Sequence, residues 1–316
     1  MSSPAKAAAA VTLGVAAAAA VYAVAIERRA YRVRTEIVPV LAPGADPIRI
    51  LHLSDLHLAP WQRDRIDWVR SLTSVKPDVV VSTGDLLGHA EALPALTEAL
   101  MPFDGVPGFF VHGSNDYFAP TFKNPLRYLM GPSSGDADDV ERLDVEALER
   151  LLGDRLGWRN LNNDVGQLTI NGSILDLVGV NDAHRGWDRL DVVPSLLDEL
   201  REQDEDDTDD PAVTIGVTHA PYRRVLDSFT TQGADLIFAG HTHGGQVCLP
   251  GGRALVTNCD LPAEQARGLS LWYHAHRAAY LNVSAGLGHS IYAPLRFACP
   301  PEAVLVTLVG DDIGYA

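Results

Sequence analysis

An α/β fold is what this sequence predicts, and three features point to it. Between residues 48 and 116 the order strand, loop, helix recurs, and such repeats build parallel strands joined by crossover helices. In the middle of the chain, Asn171-Gly172 separates Leu168-Thr169-Ile170 from Ser173-Ile174-Leu175. Asn-Gly supplies the two positive-φ residues of a type I′ turn, so an antiparallel hairpin is expected there. Finally, five apolar runs end in loops carrying Asp, Asn or His.

The elements follow in chain order. From Ala7 to Ile26 there are 20 residues without a charge, a length that spans roughly 30 Å of hydrocarbon as a helix. Lys6 precedes this run, and Arg28, Arg29, Arg32 and Arg34 follow it. A single-pass N-terminal anchor in the cell membrane is the favoured reading. A cleaved signal peptide ending at Ala23-Val24-Ala25 and an Ala-rich soluble helix are the alternatives. The basic flank favours a cytoplasmic domain, and the side of the membrane stays open. Residues 1–34 are read as anchor and flank, 35–47 as a linker, and 48–310 as the catalytic domain.

Within that domain, residues 48–53, 78–83 and 108–112 read as strands, and residues 65–75 and 90–101 as helices. Residues 119–135 read as an inserted surface loop, with an amphipathic stretch around 118–128. Residues 143–152 and 191–202 read as further helices, and the acidic run 204–210 as a solvated loop. Strands are expected at 175–180, 212–218, 235–239, 247–249, 279–284 and 303–309.

Composition narrows the function. The chain of 316 residues is 47% hydrophobic and 21% charged, ordinary for a globular protein. Its net charge of −16 argues against a basic nucleic-acid-binding surface. It leaves anionic substrates open, because a bound metal can dominate the local field. Three cysteines, none in C-x-x-C spacing, give no disulfide framework and no thiolate zinc site. Nothing in the sequence calls for an obligate protein partner.

The strand ends supply Asp55 and His57, then Asp85, then Asn115 and Asp116, then His219, then His241 and His243. In α/β sheets, ligand sites lie at the carboxyl ends of the strands. Imidazole with carboxylate selects transition metals over calcium. Seven candidate ligands are too many for one tetrahedral ion. They suit two ions about 3.5–4 Å apart with a bridging carboxylate.

Asp55-x-His57, Gly84-Asp85-x-x-Gly88, Gly113-Ser114-Asn115-Asp116, His219 and Gly240-His241-x-His243 resemble, in order and spacing, the calcineurin-like metallophosphoesterase superfamily. Gly244-Gly245-Gln246 and Leu295-Arg296-Phe297-x-Cys299-Pro300-Pro301-Glu302 resemble its bacterial membrane-anchored branch. The resemblance implies a four-layer α/β/β/α sandwich of two mixed sheets flanked by helices, after one transmembrane helix. It implies Asp55, His57 and His243 on one ion, Asp85 bridging, and Asn115, His219 and His241 on the other. The ions would be divalent transition metals, Mn²⁺, Fe²⁺/Fe³⁺ or Zn²⁺. The implied activity is hydrolysis of a phosphomonoester, phosphodiester or pyrophosphate by a metal-activated hydroxide, and the anchor extends the candidates to lipid-linked substrates.

The third motif departs from the family's Gly-Asn-His-Asp/Glu pattern. Ungapped, Ser114 takes the Asn position and Asn115 the His position. With a slip of one residue, Asn115 stays the ligand and Asp116 replaces the histidine; an amide oxygen is the better ligand, which favours the slip. Either way the family's histidine is missing, and Asp116 or His112 is the expected proton donor. His184 and Arg185 are expected to contact substrate; Arg185, Arg189, Arg223 and Arg296 are candidates for a substrate phosphate, with a surface or ion-paired role the favoured reading for each. The altered motif also raises a second function class: a weak or inactive member serving as a metal-bearing binding or scaffold module.

Overall fold

A computed structural model describes residues 4–121, 140–203, 212–249 and 251–311 of the chain. The acidic run 204–210 and most of the amphipathic stretch lie outside them.

The elements in chain order are α1 (Pro4–Val21), β1 (Arg32–Leu41), β2 (Ile48–Leu53), α2 (Arg63–Ser71), β3 (Val79–Ser82), α3 (Leu93–Leu100), β4 (Gly108–Phe110) and α4 (Ser114–Tyr117). They continue with α5 (Val145–Glu149), β5 (Arg159–Asn160), β6 (Asp164–Ile170), β7 (Ser173–Gly179), α6 (Val193–Gln203) and β8 (Val213–Thr218). The last are α7 (Arg223–Thr231), β9 (Leu236–Ala239), β10 (Gly268–His274), β11 (Arg277–Val283) and β12 (Glu302–Gly310).

Two six-stranded mixed sheets run β1-β12-β2-β3-β4-β5 and β10-β11-β9-β8-β7-β6. The β2, β3, β4 and β5 ladder is parallel, as is β7, β8, β9 and β11. Antiparallel pairs sit beside these ladders: β12 on β2, the Asn171-Gly172 hairpin of β6 and β7, and β10 on β11. The period of two decides the layers. Ile48, Ile50, Val79 and Val81 face Ile215, Val217, Leu236 and Phe238 between the sheets. Their neighbours Leu51, Leu53 and Val80 pack outward with Ile66, Val69, Leu96 and Leu100 of α2 and α3. On the far side, Val178, Ile237 and Leu281 pack with Leu197, Val225, Leu226 and Phe229 of α6 and α7. The architecture is thus the four-layer α/β/β/α sandwich. Strands covered on both faces read as continuous apolar runs, which is why the central ones are legible.

Two readings are corrected. Residues 35–41, expected in a linker, belong to β1, which pairs in parallel with β12 from Arg32↔Glu302 onward. Polar residues and Pro39 fit an edge strand, where a missing N–H faces away from the ladder. Residues 247–249 make only isolated bridges to Phe297 and Ala254 instead of a strand. The segments α7 and β10 carried no expectation.

β1 is fastened by charge. Glu302, fully buried, accepts from Arg32 Nη2 at 2.7 Å and Arg34 Nε at 3.1 Å. Burial alone would raise its carboxyl, but Arg34 and Arg32 outweigh it and hold it below the usual range. Glu302 is the only buried member of the group, since Arg32 is 44% exposed and Arg34 also pairs with Glu36 at 2.6 Å. Glu302→Gln in the full chain is therefore expected to lose about 1–2 kcal/mol in urea unfolding, the scale of charge-assisted hydrogen bonds rather than of a stranded buried charge. Because the folded carboxyl is depressed, the wild type should keep this increment above the unfolded pKa. It should lose it as pH falls through the folded one.

Candidate metal centre

The parallel strands of both sheets end at one seam, and the loops beyond them carry the polar side chains. β2 delivers Asp55 and His57, β3 delivers Asp85, β8 delivers His219, and β9 delivers His241 and His243. These six side chains are buried or nearly so. The loops turn sharply: Asp55, His57, Asp85, His241 and His243 all have left-handed backbone, with φ between 38° and 67°. Close approach is enforced by glycine. A Cβ on Gly240 would strike Ser54 Oγ and Asp55 Oδ2, and one on Gly113 would strike the Asp85 carboxylate and the His219 ring.

The ligand atoms fall in two groups, Asp55 with His57 and His243, and Asp55 with Asp85 and His219, each within 4.8 Å of one another. His57 Nε2 lies 3.2 Å from His243 Nε2, which is 3.6 Å from Asp55 Oδ1. Asp85 Oδ2 is 3.5 Å from His57 Nε2 and 3.5 Å from His219 Nε2, so it stands between the groups. His241 Nδ1 lies 3.3 Å from His219 Nε2. An ion with bonds of about 2.0–2.1 Å sets tetrahedral neighbours about 3.3–3.4 Å apart. The side chains present therefore fit metal, and the buried Asp55 Oδ1 has no hydrogen-bond partner of its own.

Partners on the far edge of each ring orient the imidazoles. His219 Nδ1 donates to Thr83 O at 2.7 Å, leaving Nε2 for the seam. His241 Nε2 lies 3.2 Å from both Asn258 O and Asn258 Nδ2, which turns Nδ1 to the seam. Electrostatics completes the preparation. His241 is held well below the usual imidazole range by burial and then by His184 and His219; His243 by burial, His57 and Arg296. Both stand neutral, the form that ligates. Burial would lower His219 too, but Asp85, with Asp55 and Asp182, raises it well above the range. Burial would raise Asp85, but His219 and His57 pull it well down. Without an ion these two form a buried ion pair.

The third motif is placed differently from the expectation. Asn115 lies against the proposed bridge, with Nδ2 donating to Asp85 Oδ2 at 2.7 Å and its amide N to Oδ1 at 2.8 Å. Asp116 does not offer a proton donor. Its Oδ2 accepts from Asp85 N at 2.8 Å and Gly113 N at 3.0 Å. Its Oδ1 accepts from Leu86 N at 2.7 Å and Leu87 N at 3.3 Å. The carboxylate is a clamp that shapes the Asp85 loop. His112 stands behind it, fully buried, with Nδ1 at 3.8 Å from Asp116 and Nε2 at 3.2 Å from Glu149. Burial would lower it, and Asp116 and Glu149 raise it.

At the rim, His184 donates to or accepts from Tyr222 Oη at 3.0 Å, and its ring lies 4.6 Å from that of His241. The Arg185 guanidinium lies over the Phe118 ring, 5.3 Å from its centroid. Asp182, fully buried, is pushed up to about 6 by burial, with Asp85 adding to the shift against His219. Arg296 is not free for phosphate. It is buried, and donates to the carbonyls of Ala285, Gly286, Gly288 and Cys299. Arg65 likewise donates to the carbonyls of Leu56 and His57. No sequence signal separates such a guanidinium, caged by carbonyls, from a substrate-facing one.

The sequence matches the calcineurin-like phosphoesterase family over residues 48–245. The chain belongs to that family. A relative from Aquifex aeolicus (strain VF5), described as an uncharacterized metallophosphoesterase, is 27% identical over 284 residues, covering 89% of this chain and 90% of that one. A Bos taurus relative, described as a transmembrane protein with metallophosphoesterase domain, is 26% identical, covering 68% of this chain and 45% of its own. Among solved structures, a dimetal phosphatase from Danio rerio aligns with TM-score 0.42 and 13% identity over 77% of this chain and 88% of that one.

Two outcomes are expected. Asp116→Asn places an N–H against amide donors and loosens the Asp85 loop. Metal content by mass spectrometry should then fall from about two ions per chain to one or fewer, whereas loss of a mere proton donor would leave it unchanged. Second, His219 must give up a proton to ligate, so Mn²⁺ affinity should fall as pH falls. Calorimetry in buffers of differing ionisation enthalpy should show release of about one proton as the centre fills.

Proposed function

We propose that the protein is a dinuclear metal-dependent phosphoesterase, acting on a phosphomonoester, phosphodiester or pyrophosphate and held to the membrane by α1. The observation that carries the reading is Asp85 Oδ2, equidistant at 3.5 Å from a histidine of each group. Asp55, His57 and His243 would hold one ion, Asn115, His219 and His241 the other, and Asp85 both. When bound, such ions polarise the phosphoryl group and activate a water for in-line attack.

The chain's own residues do the rest. Asp116 and Gly113 hold the Asp85 loop, and Thr83 O and Asn258 orient the imidazoles. His184, steadied by Tyr222, faces the second-ion side, where substrate contact and leaving-group assistance would fall to it in place of the absent third-motif histidine. Hydrolysis breaks one P–O bond, adds water across it, and leaves one product with the proton. Support for membrane attachment is an apolar helix long enough to cross a bilayer, spanning Ala8–Arg29 with the turns that follow α1.

Bis-p-nitrophenyl phosphate with added Mn²⁺ tests the activity. The wild type should turn over, and Asp85→Ala should lose about 10³-fold or more, the scale of removing a bridging electrostatic element. Absence of metal-dependent turnover in the loaded wild type would instead favour the scaffold reading.

A further inference from the structure

The helical segment that starts at α1 does not end in a free tether. Ala23 O accepts from Arg296 N at 3.2 Å. Glu27, 3% exposed, accepts from Ala298 N at 3.0 Å and Cys299 N at 2.6 Å. Cys299 Sγ in turn lies 3.3 Å from His243 O. The base of the apolar helix is thus joined through one short loop to a metal ligand. Along the helix, Val11, Leu13, Val15 and Val21 are all more than 60% exposed. An apolar surface of that kind fits hydrocarbon, not water.

Loops joined to those of the proposed ligands are also apolar at their tips. Trp61 is 61% exposed, Leu249 47%, Leu255 49% and Tyr292 46%. Trp61 follows His57, its ring 5.0 Å from that of His89. Tyr292 belongs to a loop tied at both ends to the ligands' own loops. Gly288 N donates to Asp55 O at 2.6 Å, and Gln246 Nε2 donates to Ala293 O at 2.9 Å and Leu295 O at 3.0 Å. Leu249 and Leu255 flank the bridge of Cys248 with Ala254, just beyond Gln246. Trp and Tyr with one apolar and one wet end belong at the headgroup level of a bilayer. Arg28 and Arg29 follow the apolar helix, and Arg29 Nε lies 3.9 Å from Asp64, three residues beyond Trp61.

We propose that this rim, Trp61, Tyr292, Leu249 and Leu255, rests in the interfacial layer of the bilayer that α1 crosses. The centre then opens on the membrane surface and takes a phosphate carried by a lipid. The proposal rests on the phosphoesterase reading for its substrate, but not for its geometry.

The full-length protein, reconstituted in phosphatidylcholine–phosphatidylglycerol vesicles, tests it. Replacing part of the phosphatidylcholine with its brominated form should quench the wild-type emission, and Trp61→Phe should lose most of that quenching. Equal quenching in both proteins means that Trp61 faces water and overturns the proposal. In the same vesicles, Trp61→Ser/Tyr292→Ser should hydrolyse fluorescent phosphatidic acid about tenfold more slowly, the scale of losing apolar anchors. Its turnover of bis-p-nitrophenyl phosphate should be unchanged; equal losses on both probes, or on neither, also overturn it. Quenching needs no catalysis, so it holds or fails separately from the phosphoesterase reading.

Discussion

Two carboxylates and four imidazoles share a seam that water hardly enters, and charge in such a place must be matched. An isolated buried charge costs several kcal/mol even after relaxation. The chain meets this by pairing Asp85 with His219 and by keeping His241 and His243 neutral. Behind these side chains, the backbone segments that carry Asp55, His57 and Asp85 are themselves held. Asp116 gathers the amides of the Asp85 loop, while Arg65 and Arg296 gather carbonyls of the loops beside Asp55 and His57. Opposite poles of the peptide group are thus tied down by opposite side-chain charges. Neither kind of clamp touches the seam directly, yet each sets where a ligand atom stands.

A polar chain crosses the sandwich to the same place. Arg34 Nη2 donates to Asn282 Oδ1 at 3.1 Å, and Asn282 Nδ2 is 3.0 Å from His52 Nδ1. His52 Nε2 meets Thr83 Oγ1 at 2.9 Å, Thr83 Oγ1 donates to Ser54 Oγ at 2.7 Å, and Ser54 Oγ donates to Asp55 Oδ2 at 2.5 Å. Burial, with Arg34 adding, lowers His52 to about 3, so it stays neutral and serves as a relay of hydrogen bonds. Fully satisfied networks of this kind fix one arrangement of a core. Here the network couples β1, the edge strand that follows α1, to Asp55 in the seam.

The parts legible in the sequence are those with a one-dimensional signature. Apolar runs ending in Asp, Asn or His gave the strand ends, and Asn171-Gly172 gave the hairpin. The fold followed from the same pattern. What escaped has its cause in three dimensions. β1 interrupts its apolar residues with arginine, glutamate and proline because only part of it, Val38 and Leu41, reaches the core between the sheets while Arg32 and Arg34 serve the buried Glu302, so its apolar pattern is broken. Asp116 reads as a proton donor, and Arg296 as one of several arginines open to phosphate, because a carboxylate or guanidinium spent on backbone looks, in sequence, like one spent on substrate. His112 lies two positions after the end of β4, but its neighbours Asp116 and Glu149 draw it behind the loop instead of into the seam.

Five of the proposed ligands sit in left-handed backbone that L-residues with a Cβ resist, at about 1–3 kcal/mol each. Those loops therefore store strain comparable with a sizeable part of a domain's net stability, about 5–15 kcal/mol. Ions that bind the folded seam and not the unfolded chain would offset it by their binding free energy, so a loaded molecule would resist unfolding better than an empty one.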